Sequence, residues 1–263
     1  MKISGIVITK NEEKNIVRCL KSLSFCDEVI IVDDFSYDDT IRNAELFLQE
    51  NSVSKFNVKI FKHRVSGNFA KQRNYALGKS GNDWNIFIDA DEELSQDLIN
   101  EIIDLDKGGN LNRIGSYRLK RRDFFWKKEI RYGEVLLSRV YGISRLVKKG
   151  SGEWVGNVHE VFRSYEGYHE KKLKGYINHY PHQTLREFIS DINQYSSLRA
   201  KQLAAQGKKS GIFQIVLYPL VKFFISYFFL LGILDGAAGF VYSFLMSFHS
   251  FLVRAKLWQH YSI

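Results

Sequence analysis

The chain has 263 residues and a formal net charge of +9, enough for one large α/β domain or a domain with an appendage. Hydrophobic residues make up 45% and aromatics 14%, with only two prolines, a composition that excludes a long disordered linker. The basic balance, with a pI near 9.3, calls for an anionic partner; nucleic acid, anionic lipid headgroups and phosphorylated glycans all qualify electrostatically.

The first residues run directly into an alternating apolar segment, without a basic n-region, a long apolar h-region or a small-residue cleavage site, so no export signal is expected. Cys19 and Cys26 have no second cysteine pair to complete a metal-ligand pattern, which predicts two unreactive thiols in a reduced, cytosolic setting. From residue 2 to about 106, short apolar runs at 3–9, 29–33, 58–61 and 85–89 alternate with helical patterns, as in βα units that build a mainly parallel sheet. Ile16, Cys19, Leu20 and Leu23 mark the first helix face, then Ile41, Ala44 and Leu48, then Ala70, Arg73, Ala76 and Leu77 before Gly78. Ser95 is placed to cap a fourth helix carrying Leu98, Ile102 and Leu105.

This half reads as a doubly wound α/β unit. In such sheets ligands bind beyond the carboxyl ends of the strands, so the polar residues ending strands one, two and four should meet in one crevice. Residues 116–177 turn β-rich, with runs at 117–121, 145–148, 158–162 and 173–177 that read as a mixed-sheet extension covering the site. The basic, aromatic segment 118–128 reads either as an acceptor-binding surface or as a β-hairpin with a solvated basic face. A capping box, Thr184-x-x-Glu187, then opens a long helix with Leu185, Phe188, Ile192 and Tyr195 along one stripe, ending near Gly207.

The remainder differs in kind. Residues 223–234 are almost wholly apolar, and a second apolar run covers 236–253; between Arg199 and Ile263 seven Lys or Arg face one acid, Asp235. Interfacial helices lying in an anionic leaflet fit this pattern, with a shallow hairpin or true span, or a helical core or oligomer interface, as the other readings.

Chemistry concentrates at strand ends. Asp89-Ala90-Asp91 follows a buried-looking strand, and two carboxylates at that spacing can hold a Mg²⁺ or Mn²⁺ that clamps a diphosphate. Alone, the same pair reads more readily as a helix cap. Asp33 ends strand two, where a carboxylate can accept a base imide N–H or a ribose hydroxyl, while Asp38 and Asp39 read as helix caps. Thr9-Lys10-Asn11-Glu12 supplies a helix N-terminus and polar side chains for a nucleotide, or plain capping.

Four segments, Ile6-Val7-Ile8-Thr9-Lys10-Asn11-Glu12-Glu13, Ile30-Ile31-Val32-Asp33-Asp34-Phe35-Ser36, Gln72-Arg73-Asn74-Tyr75-Ala76-Leu77 and Phe87-Ile88-Asp89-Ala90-Asp91-Glu92, stand in the order and rough spacing of family 2 glycosyltransferases. The chain most resembles the bacterial subgroup that includes the lipopolysaccharide inner-core β-1,4-glucosyltransferase. Further matches are Trp154-x-Gly156-x-Val158-His159-Glu160, Asn178-His179, Leu234-Asp235-Gly236 and Ala255-Lys256-Leu257-Trp258, so the likeness covers nearly the whole chain.

The resemblance implies a GT-A (nucleotide-diphospho-sugar transferase) fold: a single Rossmann-like, doubly wound mixed sheet with a C-terminal amphipathic helical tail. Residues 1–182 would form the catalytic domain (1–106 the donor half, 107–182 the acceptor and site-covering half) and 183–263 a membrane-associated helical region. It also implies a UDP-sugar donor, glucose favoured, a divalent metal at Asp89-Ala90-Asp91, and inversion at the anomeric carbon. Carried over, Asp33 would hold the nucleoside, Asp89 the ribose or the metal, and Asp91 the metal, with Lys71 and Arg73 near the donor.

Inverting transfer needs a base for the acceptor hydroxyl; Glu160 is the candidate, with Glu92 and Glu93 as alternatives. His159 and His179 would complete the metal shell, touch phosphate, or play an ordinary hydrogen-bonded role. The expected partners are a nucleotide-sugar donor, a glycolipid or oligosaccharide acceptor such as lipopolysaccharide core, and the cytoplasmic face of the inner membrane, with no nucleic acid. Two other classes remain: a nucleotidyltransferase, weakened because Lys10-Asn11-Glu12-Glu13 is not glycine-rich, and a non-catalytic basic adaptor, for which no nucleic-acid motif appears.

Overall fold

A computed structural model describes residues 1–50, 57–108, 113–156, 160–182 and 184–262. In chain order its elements are β1 (Ile3–Thr9), α1 (Ile16–Ser22), β2 (Glu28–Asp33), α2 (Thr40–Glu50), β3 (Asn57–Lys62), α3 (Phe69–Lys79), β4 (Trp84–Asp89), β5 (Glu92–Leu94) and α4 (Gln96–Asp104). There follow β6 (Ile114–Phe125), β7 (Lys128–Ile130), α5 (Leu136–Tyr141), β8 (Ile143–Lys148), β9 (Gly152–Val155), β10 (Val161–Ser164), β11 (His169–His179), α6 (Leu185–Ala205), α7 (Ile212–Phe224) and α8 (Gly236–Ser262).

The four parallel strands run in the order β3-β2-β1-β4, and β8, β6, β11 and β5 continue the sheet, with β7 paired to β6. Register decides what meets: Thr9 of β1 pairs with Asp33 of β2, and Ile8 with Asp89 of β4. The carboxyl ends of the three strands are therefore level, as the alternating pattern predicts. β1, β2 and β4 are buried on both faces, which explains their continuous Val and Ile runs. Ile16, Cys19 and Leu20 of α1 pack on one face, while Ala70, Ala76 and Leu77 of α3 join Ile6, Ile30 and Phe87 on the other.

β8 runs antiparallel to β4, pairing Ile86 with Leu146, so the start of β8 lies beside the end of β4. Short β5 pairs antiparallel with β11, setting Glu92 opposite His179. The sequence pattern shows neither β5 nor β9, the partner of β10 in a ribbon that pairs Trp154 with Phe162, because segments of three or four residues carry too little periodicity. Of the strand expected at 158–162, residues 158 and 159 lie outside the described residues, and β10 begins at Val161.

The chain divides into two compact units, one of residues 1–121 and 141–179, the other of 122–140 and 180–263. In the second, the expected hairpin is present: Asp123 pairs with Ile130 across a turn whose central residues, Trp126 and Lys127, both have positive φ, the geometry that suits a two-residue loop. The Thr184–Glu187 capping box forms and α6 stops before Gly207, whose φ of +71° closes the last turn. Its buried stripe corrects the expected one: Phe188 and Ile192 are inside with Ser196, Ala200 and Leu203, while Leu185 and Tyr195 are exposed. The repeat is i+4 from Phe188, and the two outer residues fall off it.

The apolar tail is also divided differently from the expected runs. The first apolar helix begins at Ile212, and residues 223–234 are no single segment: they hold the end of α7, a π-turn over Ile225–Phe229, Leu231 at φ +60° and a 3₁₀ turn over Gly232–Asp235. Hydropathy alone cannot see a corner made of apolar residues.

Candidate active site

The site lies in the first unit, around the carboxyl end of β4. Asp89 closes β4 with its carboxylate held by two guanidiniums. Arg73 Nη2 donates to Oδ1 at 2.9 Å, and Arg145 Nη2 donates to Oδ2 at 2.7 Å. Arg145 reaches it because antiparallel β8 delivers its first residues to that end of β4. Burial alone would raise Asp89, but Arg145 and Arg73 outweigh it and hold the carboxyl well below the usual aspartate range.

Glu92, three residues on, is fully buried; it accepts from the Asp89 backbone N–H at 3.0 Å and from Arg145 Nη2 at 3.3 Å. Burial pushes its carboxyl upward, against the pull of Arg145 and helped by the charge of Asp89. So enclosed and bound, Glu92 braces the end of β4 in this structure. Glu93 accepts from Asn178 Nδ2 at 3.3 Å.

Arg73 links two carboxylates. Its Nε donates to Glu160 Oε1 at 2.7 Å while Nη2 holds Asp89, and its guanidinium lies 5.0 Å from the Trp154 ring and 5.7 Å from the Phe87 ring. Adjacent Asn74 clamps β9, donating to Trp154 O at 2.8 Å and accepting from Trp154 N at 2.9 Å. Through this clamp the α3 motif positions the strand that leads toward Glu160. Neither Arg145 nor Asn74 was legible as a site residue: a lone Arg in a strand and an Asn in a helix announce nothing until sheet order supplies their partners.

Asp91 follows the strand end and faces His179, with Nε2 3.2 Å from Oδ2. Burial opposes ionisation of Asp91, yet His179 outweighs it and keeps the carboxyl below its ordinary range. Ala90 is buried between the two aspartates. Cys19 lies beneath, its Sγ 3.7 Å from Asp89 O; burial, then the charges of Glu92 and Asp91, push the thiol upward, which fits the unreactive cysteine expected. Both cysteines are free.

At the ends of β1 and β2, Asn11 and Phe35 both adopt positive φ. Asn11 N donates to Ser36 Oγ at 2.9 Å and Tyr37 N to Asn11 Oδ1 at 3.1 Å, stapling the two loops together. Glu12 N donates to Thr40 Oγ1 at 2.7 Å, and Lys10 pairs with Asp34 at 2.8 Å. Asp33 is fully buried and accepts from the Ser36 N–H and hydroxyl, so in this structure it organises its own turn. Lys71 is exposed in the first turn of α3. Thr9 Oγ1 and Arg73 Nη1 are buried without a partner, polar atoms of the kind a bound ligand satisfies. His159 lies outside the described residues.

Among the described residues no three His, Cys, Asp or Glu side chains form a ready cation cage. A Mg²⁺ or Mn²⁺ shared with a diphosphate needs only one or two protein ligands; Asp91 and His179, which pair with each other, would exchange that pairing for the ion, and Asp89, with both oxygens on arginine, would have to release a guanidinium to join them.

Strand-end carboxylates at the crevice of a mixed α/β sheet define a nucleotide-sugar transferase fold of the GT-A type, and sequence comparison reaches the family. The pattern of Glycosyl transferase family 2 matches residues 4–176, and the chain belongs to that family; it is a glycosyltransferase. It is 32% identical to an uncharacterised glycosyltransferase of Rickettsia typhi, over 97% of this chain and 86% of the relative. It is 27% identical to the lipopolysaccharide core biosynthesis glycosyltransferase LpsC of Rhizobium meliloti, over 99% of this chain and 93% of that protein. Among solved structures, the mannosyltransferase PcManGT from Pyrobaculum calidifontis, in complex with GDP-Man and Mn²⁺, superposes with a TM-score of 0.50 at 12% identity, covering 97% of this chain and 86% of that one. The nucleotidyltransferase and adaptor readings fall with the family assignment.

Proposed function

We propose that the protein transfers a sugar, glucose favoured, with inversion from a UDP-sugar to a hydroxyl of a lipid-linked or cell-surface glycan such as lipopolysaccharide core, at the cytoplasmic face of the inner membrane. The observation that carries this reading is the Asp89–Arg73–Glu160 bridge, which ties a donor-side carboxylate to a candidate base through one buried guanidinium. Likeness to LpsC along nearly the full chain supports the acceptor class, and the GDP-Man and Mn²⁺ named with PcManGT support a nucleotide-sugar donor with a divalent ion.

In the proposed reaction the acceptor oxygen attacks the anomeric carbon from the side away from the diphosphate, the carbon–oxygen bond to the diphosphate breaks, and Glu160 takes the acceptor proton. Glu160 is oriented by Arg73, and its side chain keeps 14% of its surface open to solvent. A divalent ion held by Asp91 and His179 would neutralise the departing diphosphate. Asp89 would position the ribose and the two arginines, while Thr9, Lys10, Asn11, Glu12, Asp33 and Lys71 would line the nucleoside and phosphate path.

The test is a donor screen with Mn²⁺ or Mg²⁺ on a membrane glycolipid acceptor, products resolved by mass. Transfer from a UDP-sugar is the expected result, and its absence for every UDP-sugar would sink the donor assignment. Glu160→Gln should keep UDP binding while lowering transfer by ~10²–10⁴-fold; a normal rate would acquit the residue.

A further inference from the structure

The second unit carries an apolar surface that its own fold does not cover. No residue of α7 is buried, and Phe213 and Phe229 are 82% and 80% exposed. Leu217, Leu220, Phe224, Leu234, Phe244 and Trp258 extend the open surface. A patch of this extent marks a docking surface.

Three observations decide what kind of surface it is. Lys222 stands midway along the apolar stretch Ile212–Phe229 and pairs with Glu134 at 3.1 Å. A span of about 20 apolar residues with an ion pair at its centre would place two charges in hydrocarbon, a costly arrangement. α8 packs Leu245, Val253 and Leu257 against Phe188, Ile192, Ala200 and Leu203 of α6. That partner exposes Arg186 and Lys201, so a spanning α8 would draw charged side chains of α6 into the bilayer with it. Finally, cations rest on the exposed aromatic rings: Arg254 is 4.1 Å from the Tyr218 ring and Lys209 is 5.6 Å from the Tyr261 ring. Tyrosine beside a basic residue is the pattern of a headgroup boundary.

We infer that α7, the corner over residues 225–235 and the outer side of α8 lie in one leaflet of an anionic bilayer, neither helix crossing it. This rests on the membrane association proposed above and replaces its open choice between lying on and spanning. The corner is built for such a position, since its polar groups pair internally: Asp235 accepts the N–H groups of Arg131 and Tyr132 at 2.9 Å each, and Ser226 and Ser243 share a buried hydrogen bond at 3.1 Å. The excess of seven basic residues over one acid from Arg199 onward selects an anionic surface over a neutral one.

The test uses the full chain carrying Lys208→Cys, just before α7, or Arg131→Cys, beside Asp235 at the end of the corner that follows α7, bound from outside to vesicles of phosphatidylglycerol and phosphatidylcholine. Cys19 and Cys26 are buried and serve as the silent background. An impermeant maleimide should label both new thiols fully on intact vesicles. Labelling of one site until detergent is added would establish a span, overturning the single-leaflet inference while leaving membrane association standing. Phe213→Glu with Phe229→Glu should reduce vesicle binding at least tenfold, with transfer to a soluble acceptor retained. No co-sedimentation with anionic vesicles would overturn the membrane reading itself, and a solution dimer broken by the same double variant would assign the surface to a second copy.

Discussion

Asp89 and Asp235 are each held by two donors, yet the donors differ in kind. In the first unit Asp89 accepts from the guanidiniums of Arg73 and Arg145; in the second Asp235 accepts from two backbone N–H groups. Guanidiniums can be shared, and Arg73 is shared with Glu160, so the first arrangement ties two carboxylates to one cation. Backbone N–H groups belong to one turn, so the second only fixes the shape of a corner. The contrast separates a site prepared for chemistry from a structural cap.

Three substitutions sharpen that contrast, and a fourth probes acid stability. Asp91→Ala should have the largest effect, lowering metal-dependent turnover by ~10²–10³-fold with the circular-dichroism spectrum unchanged; wild-type turnover would move the metal elsewhere. Arg145→Met should leave Asp89 and Glu92 short of a partner and destabilise the protein by about 3–5 kcal/mol in denaturant titration, and a stable variant would show that Arg73 alone suffices. Asp235→Ala, which strands two N–H groups, should cost about 1–3 kcal/mol and leave transfer to a soluble acceptor intact; loss of turnover at full stability would erase the distinction between the units.

The smallest effect concerns pH. Burial opposes ionisation of Glu28, but hydrogen bonds from Ser4 and Gly81 and the bond and charge of Lys59 outweigh it and lower the carboxyl below its ordinary value. Because the folded value is the lower one, this contribution is present above the unfolded pKa of about 4.3 and is lost as pH falls through the folded value. Glu28→Gln should therefore flatten the acid limb of stability measured from neutral pH down to about 3; an unaltered limb would assign acid sensitivity to other carboxylates.

Legibility followed periodicity and length. β1, β2 and β4 were readable from their apolar runs, α4 and α6 from their caps, and the tail as apolar from hydropathy. Asp89-Ala90-Asp91 stood out because an apolar strand precedes it, Asp33 ends a neighbouring strand, and family-like segments flank it in order along the chain. Glu160 entered through the family resemblance, and its tie to Arg73, 87 residues away, has no local trace. Corners such as 225–235 were hidden because a positive φ at Leu231 has no compositional signature.

Local pattern by itself determined the parallel half of the sheet and the level strand ends, since hydrophobic period and strand-end polarity act within a few residues, while the chemical class entered through the resemblance of four ordered segments to a known family. Tertiary structure alone decided that Arg145 and Arg73 neutralise Asp89, that Asp91 is paired with His179, and that Glu92 is sealed from solvent. Those outcomes depend on sheet order and antiparallel register, which bring together residues distant in the chain whose charges interact only through space.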